Sequence, residues 1–155
     1  MRILGVDPGT AITGFGVIDT DGSKFTFVDA GVIRTPKDQP MNDRLSTVYD
    51  EMKELIEEFK PDVMSIELLF FARNVTTAMT VGQSRGIVML AATQARIPIY
   101  EYTPMQVKQA VTGYGKADKK QIQEMVKNLL KLDQIPQPDD AADGLAIAIT
   151  HAGQS

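Results

Sequence analysis

The period of the hydrophobic pattern changes once along this sequence, and that change restricts the possible folds more than any other feature. Residues 2–35 follow a β-strand pattern in three runs, ILGVD, TGFGVIDT and KFTFVDAGVIRT, with a hairpin turn signal at Asp21-Gly22. After Pro36, apolar residues recur every three or four positions until Pro61, which predicts a long amphipathic helix. The chain is therefore predicted to begin with an antiparallel meander and to continue with a helix.

Beyond this helix, short apolar strands alternate with helices. DVMSIEL and IPIYEY predict two more strands, separated by a helix over NVTTAMTVGQSRGIVMLAATQA, and three helices follow, the last from about Asp139. This order predicts an α/β fold, a mixed five-stranded sheet of three antiparallel and then parallel strands with helices on both faces. The chain has 155 residues and no repeat or linker, so we expect a single domain over residues 1–155.

Composition excludes several classes of protein. Apolar residues make up 43% and charged residues 23%, as in an ordinary globular protein, and the absence of cysteine excludes disulfides and thiolate metal sites. We expect a cytoplasmic protein without a membrane partner, because no apolar run approaches the ~18 residues of a membrane span. The net charge of -4 argues against a polyanionic partner, unless some of the 20 acids bind metal.

Two acids stand at the ends of predicted strands. Asp7 ends the first apolar run before Pro-Gly-Thr, where a plain turn is the alternative interpretation. Glu67 lies in VMSIELLFF with no basic residue within five positions, so it must be neutralised, bound to a cation or able to reach solvent.

Two further acids stand near the start of the last predicted helix. Asp140 and Asp143 are three residues apart in PDDAADGLAIAITHA and share one helical face. Taken alone, this segment is as well explained by a helix cap, because acids favour the positive end of a helix dipole.

The four acids together predict a metal site. If the first and fourth strands are parallel neighbours, Asp7 and Glu67 emerge side by side, and the last helix can bring its aspartates against them. All-oxygen ligation, in a chain with no cysteine and one histidine, suits Mg²⁺ or Mn²⁺. Four carboxylates would hold two ions about 3.5–4 Å apart, which clamps the attacking and leaving oxygens of phosphoryl transfer.

Four segments, in this order and spacing, resemble the RuvC family of bacterial Holliday junction resolvases. They are ILGVDPGTAITGFGVID, SIELLFFARNVTTAMTVGQSRG, YEYTPMQVKQAVTGYGKADKKQIQEMV and PDDAADGLAIAITHA. The resemblance implies a ribonuclease H-like fold, a homodimer, and paired symmetric nicks at four-way DNA junctions in homologous recombination and DNA repair. It also implies two Mg²⁺ ions per subunit, with Mn²⁺ as a substitute, and RuvA and RuvB branch-migration proteins as partners.

The resemblance assigns roles to individual residues. The metal-binding catalytic acids would be Asp7, Glu67, Asp140 and Asp143. Asp139 beside Asp140 leaves open which of the two is the ligand, and the DxxD spacing favours Asp140, with Asp139 as the N-cap of the last helix. Phe70 would stack on a base near the crossover, a role that Phe71 could share or take, and core packing is the alternative for both. Lys108 and Lys119 would contact the DNA backbone or act in catalysis, with Lys119 steadying the scissile phosphate. Further candidates for phosphate contacts are Lys116, Lys120, Arg73 and Arg85.

Gly82 and Gly86 form a GxxxG pattern on a predicted helix, which permits close approach either in a dimer or within the monomer. Two other functions compete with the nuclease. DPGTAITGFG also resembles the first phosphate loop of actin-like ATP-binding proteins, although the chain is short for two lobes. The other competitor is a junction-binding protein without catalysis or a related nuclease with another substrate.

Overall fold

The computed structural model of the chain describes residues 1–9, 11–68 and 75–154. Within these ranges, five strands and five helices are formed. They are β1 (Arg2–Asp7), β2 (Ile12–Thr20), β3 (Phe25–Arg34), α1 (Met41–Phe59), β4 (Val63–Glu67), α2 (Val75–Gln94), β5 (Ile99–Tyr102), α3 (Pro104–Thr112), α4 (Lys119–Leu129) and α5 (Asp139–Gln154).

The five strands form one mixed sheet in the order β3-β2-β1-β4-β5. The β1–β2 and β2–β3 pairs are antiparallel, and β1–β4 and β4–β5 are parallel. The predicted turn joins β2 to β3, where the Asp21 carboxylate accepts hydrogen bonds from the backbone N–H groups of Ser23 and Lys24. The predicted mixed sheet is confirmed, whereas the extent of the domain, residues 1–155, stays a prediction.

Helices cover both faces of the sheet, as predicted. Successive residues of β1 point to opposite faces, so Ile3 and Leu4 enter different hydrophobic layers. Ile3 packs in the layer that contains α3, α4 and α5, whereas Leu4 packs in the layer that contains α1 and α2.

Glycine lets α5 lie directly on the backbone of the sheet. A Cβ atom at Gly14 of β2 would lie 1.9 Å from the Asp140 carbonyl oxygen, and one at Gly5 of β1 would lie 2.2 Å from the Gly144 carbonyl oxygen. Real side chains do not tolerate such distances, so these strands approach the helix only because they carry no side chain there. The start of α5 is therefore held against the end of β1.

Local signals set the ends of the helices beside this region. Thr103 caps α3 and Asp118 caps α4, each through a capping box with a glutamine three residues later. In α1, the last turn ends at Lys60 in a left-handed conformation just before Pro61. Among the described residues, we find no helix with the length and apolar character that crossing a membrane requires.

Candidate active site

Asp7 and Glu67 lie side by side at the ends of neighbouring strands. In the parallel β1–β4 pair, Val6 is opposite Ile66, so the next residue of each strand is an acid. The Asp7 and Glu67 carboxyl groups lie within hydrogen-bonding distance of each other. The expected juxtaposition of these two acids is confirmed.

The first turns of α5 bring two more acids to the same point. Carboxylate oxygens of Asp7, Asp140 and Asp143 all lie within 4.8 Å of one another. Asp7 also hydrogen bonds to Asp143, so it lies between Glu67 on one side and the acids of α5 on the other. We call these four side chains the acidic cluster.

Asp139 stands outside the acidic cluster. Its carboxylate lies 3.8 Å from the Lys119 ammonium, and α5 begins at Asp139 itself. The prediction that Asp139 is the N-cap was therefore wrong by one residue, since Asp139 belongs to the first helical turn. Spacing alone does not separate the two acids, because residues three and four positions before Asp143 both lie on its helical face. The structure brings Asp140, and not Asp139, together with Asp7 and Asp143.

Burial and mutual repulsion disfavour negative charge in the acidic cluster. Burial, followed by the charges of Glu67 and Asp143, raises the pKa of Asp7 to about 9. Burial also raises the pKa of Glu67 and the pKa of Asp143. The nearby lysines act in the opposite direction, because Lys108 lowers the pKa of Glu67 and Lys119 lowers that of Asp143.

Two of the predicted lysines, Lys119 and Lys108, lie close enough to the acidic cluster to affect its charges. Lys119, the first residue of α4, places its Nζ atom 3.6 Å from an Asp143 oxygen. Lys108 is half-buried on α3, and Lys116 and Lys120 are exposed on either side of Lys119 in the chain. The structure thus places the positive charges of Lys119 and Lys108 next to a negative centre.

The Arg85 side chain contacts other residues of the same chain. Its guanidinium forms an ion pair with Glu101 on β5 and hydrogen bonds to the backbone carbonyl of Glu67. The other predicted DNA contacts, Phe70, Phe71 and Arg73, lie outside the described residues.

The sequence suggested no role for His151. In the structure this residue of α5 is buried against β5. Its Nδ1 atom lies 2.6 Å from the Tyr102 hydroxyl oxygen, and its ring stacks on Tyr100 at 4.4 Å between centroids. Burial lowers the pKa of His151. The sequence carries no signal for this contact, because His151 and the two tyrosines lie on different elements. The alternation of Tyr100 and Tyr102 places both rings on one face of β5, and their contacts with His151 fasten α5 to the edge strand.

The donor set fits a hard divalent cation. Only carboxylate oxygens converge, and no thiolate or imidazole belongs to the acidic cluster. Burial, and after it the neighbouring negative charges, raise the pKa of Asp7, and a cation bound there would favour the charged carboxylate.

Comparison with known proteins agrees with this geometry. The structure of Thermus thermophilus RuvC superposes with a TM-score of 0.91 at 37% identity, covering 99% of this chain and 94% of that one. T. thermophilus RuvC in complex with a Holliday junction substrate gives a TM-score of 0.95 at the same identity and coverage. The yeast mitochondrial Holliday junction resolvase shares the fold, with a TM-score of 0.67 at 16% identity over 97% of this chain and 78% of that one.

Fold and site define a nuclease of the ribonuclease H-like class. The profile of the family described as "Crossover junction endodeoxyribonuclease RuvC" matches residues 3–151, and the chain belongs to this family. A crossover junction endodeoxyribonuclease RuvC of Brevibacillus brevis is 60% identical over 98% of this chain and 92% of its own length. The Desulfitobacterium hafniense protein of the same description is 57% identical with the same coverage. The resemblance to the RuvC family is confirmed. Membership of this family excludes the alternative interpretation as an actin-like ATP-binding protein.

Proposed function

We propose that this chain resolves four-way (Holliday) junctions as a DNA endonuclease in homologous recombination and repair. One observation carries the proposal. In a chain of the RuvC family, acids from β1 and α5 converge on one half-buried point, where Glu67 of β4 joins Asp7 and the Lys119 ammonium lies 3.6 Å from Asp143. A junction-binding protein without catalysis would have no need to bring buried like charges together, which costs free energy.

The proposed cofactor is Mg²⁺, two ions per subunit, with Mn²⁺ as a substitute. Asp7, Glu67, Asp140 and Asp143 would hold the ions. When bound, ions in a two-metal site stabilise the attacking and leaving oxygens of phosphodiester hydrolysis. The position of Asp7 between Glu67 and the acids of α5 supports Asp7 as a ligand of the proposed metal site.

The lysines would bind the phosphate that is cut. We propose that Lys119 steadies the scissile phosphate, because its ammonium already lies 3.6 Å from Asp143 and a phosphate there would find a positive charge at the start of a helix. Lys108, Lys116 and Lys120 would contact neighbouring phosphates, which orients the DNA without reading its sequence.

A homodimer would cut two strands of one junction. On α2, Met79, Gly82, Gly86 and Leu90 share one face, and Met79 is 61% exposed and Leu90 45% exposed. No described atom lies within 4 Å of a Cβ built at Gly82 or Gly86, so packing among the described residues of the monomer does not explain these glycines. We propose that a second copy of the chain covers this face, which we call the α2 stripe.

The other proposed partners follow from the substrate. RuvA and RuvB would deliver a junction whose branch point migrates, and the site of action would be the bacterial cytoplasm, where the chromosome lies. These assignments rest on membership of the family.

The experiment that tests the function uses a labelled, mobile synthetic four-way junction. Purified protein is incubated with it in Mg²⁺ or in chelator, beside a linear duplex of the same sequence and the Asp7→Asn variant. We expect symmetric, metal-dependent nicks confined to the junction, and Asp7→Asn should still bind the junction but not cut it. Junction binding without cleavage, or cleavage of the duplex alone, would leave the fold and refute the proposed function.

A further inference from the structure

Three nitrogens of the Arg85 side chain have partners inside the protein. Nη2 lies 2.5 Å from a carboxylate oxygen of Glu101, Nη1 lies 3.3 Å from the Met89 sulfur, and Nε donates a long hydrogen bond of 3.4 Å to the Glu67 carbonyl oxygen. The side chain is only 20% exposed. The guanidinium therefore joins α2, β5 and the end of β4.

The contact to Glu67 falls where β4 leaves the sheet. Up to Glu67 the strand is paired with β5, and just beyond it the Leu68 N–H donates a 2.8 Å hydrogen bond to the Tyr102 carbonyl. The peptide that follows Glu67 is thus held from two sides, by β5 and by Arg85. An acid at a strand end has a side chain whose direction follows the local backbone, so these contacts decide where its carboxylate points.

We infer that Arg85 and Glu101 form a positioning pair that aims the Glu67 carboxylate into the acidic cluster for cation binding. The inference rests on the proposed function and gives Arg85 a different role from a phosphate contact. Groups that orient a metal ligand from behind typically change metal affinity by 10–100-fold when they are removed.

Charge and access favour this role over a phosphate contact. The Glu101 carboxylate neutralises the guanidinium, so a phosphate would have to displace a carboxylate at ion-pair distance. Lys116 and Lys120 are exposed and carry no such cost. The two roles therefore predict opposite consequences for removing the charge of Glu101.

The test compares Arg85→Met, Arg85→Lys and Glu101→Gln with the wild-type protein, and Lys116→Ala serves as the reference for a lost phosphate contact. Mn²⁺ binding to the DNA-free protein is measured from the electron paramagnetic resonance signal of the free ion. Junction affinity is measured separately in chelator at several salt concentrations. Neither measurement depends on cleavage.

We expect Glu101→Gln and Arg85→Met to weaken Mn²⁺ binding about tenfold, with Arg85→Lys in between, because an ammonium keeps the charge but not the fork of donors. Their junction affinity in chelator should stay within about twofold of wild type. Lys116→Ala should instead lower junction affinity and reduce the salt slope by about 1, with unchanged Mn²⁺ binding.

The inference is overturned if Arg85→Met behaves like Lys116→Ala while Glu101→Gln strengthens junction binding, since freeing the guanidinium would then help DNA. Unchanged Mn²⁺ binding in Glu101→Gln overturns it as well. If Arg85→Met fails to fold, Glu101→Gln and Arg85→Lys decide the question. Wild-type protein that binds Mn²⁺ and the junction without cutting would refute the proposed function alone.

Discussion

Asp7 is half-buried beside three other acids, and this environment disfavours the negatively charged form of its carboxyl group. Its pKa of about 9 lies far above the ordinary 3.8, with burial as the main cause and Glu67 as the next. An acid whose pKa is higher in the folded than in the unfolded protein stabilises the fold at low pH. That stability is lost as the pH rises from about 4 towards 9.

Asp7→Asn should therefore stabilise the metal-free protein at high pH. We expect a free energy of unfolding about 1–3 kcal/mol above wild type at pH 8.5 in chelator, because the amide has no charge to desolvate. At pH 4.5 the difference should shrink. Urea titrations at the two pH values measure the free energy of unfolding of the variant and of the wild-type protein. The control is Asp133→Asn, which removes an exposed acid. A difference that is equal at both pH values would contradict the predicted origin of the effect.

At this scale, the sequence predicted the acids but not the side chains that support them. Asp7 and Glu67 could be found because each ends an apolar strand, where a charge is costly. Arg85 and Glu101 could not be paired, because they lie on different elements and no periodicity relates them. The same holds for Tyr102 and His151, which only the packing of α5 on the sheet brings together.

At the scale of elements, contact between glycine backbones positions α5. Gly14 and Gly16 of β2 and Gly144 of α5 all stand where a Cβ would collide with the opposing backbone. The number, type and order of the elements followed from hydrophobic period and turn residues. The sequence pattern did not predict which helix lies closest to the sheet, because a glycine in a strand pattern is equally compatible with a bulge or a bend.

Gly14→Ala should damage both stability and cleavage. The added Cβ would meet the Asp140 carbonyl oxygen at 1.9 Å, so α5 must move away from β2 and carry Asp140 with it. We expect a loss of about 2–4 kcal/mol in the free energy of unfolding, measured in urea, and a cleavage rate at least tenfold lower.

The control is Gly153→Ala on the same helix, where no described atom lies within 4 Å of the new Cβ. Its free energy of unfolding should stay at or slightly above that of wild type. Full activity in Gly14→Ala would show that the position of Asp140 does not depend on this contact.

At the scale of the whole molecule, the net charge of -4 does not oppose the binding of DNA. Four of the 20 acids form the acidic cluster, where cations would neutralise them, and the Lys119 ammonium lies at its side, 3.6 Å from Asp143. The total charge can be read from the sequence, whereas this arrangement of the charges follows only from the fold. The α2 stripe lies on another element and leaves apolar surface for a second copy.

Met79→Glu should dissociate the proposed dimer. A charge buried against an apolar partner surface is costly, so we expect the dissociation constant to rise about 100-fold or more, seen as monomer in sedimentation velocity at micromolar concentration. The unfolding of the monomer should change little, because Met79 is 61% exposed.

Met105→Glu on α3 is the matched control, since that methionine is 67% exposed and lies off the α2 stripe. It should leave the wild-type dimer intact. The opposite result, with dissociation by Met105→Glu alone, would place the interface on α3.

The acidic cluster draws on segments that are far apart in the chain, since Asp7 ends β1 whereas Asp140 and Asp143 belong to α5. During translation, the ribosome must therefore release α5 before the site can assemble. A chain that ends before Asp140 lacks two of the four acids, so the acidic cluster cannot assemble in it.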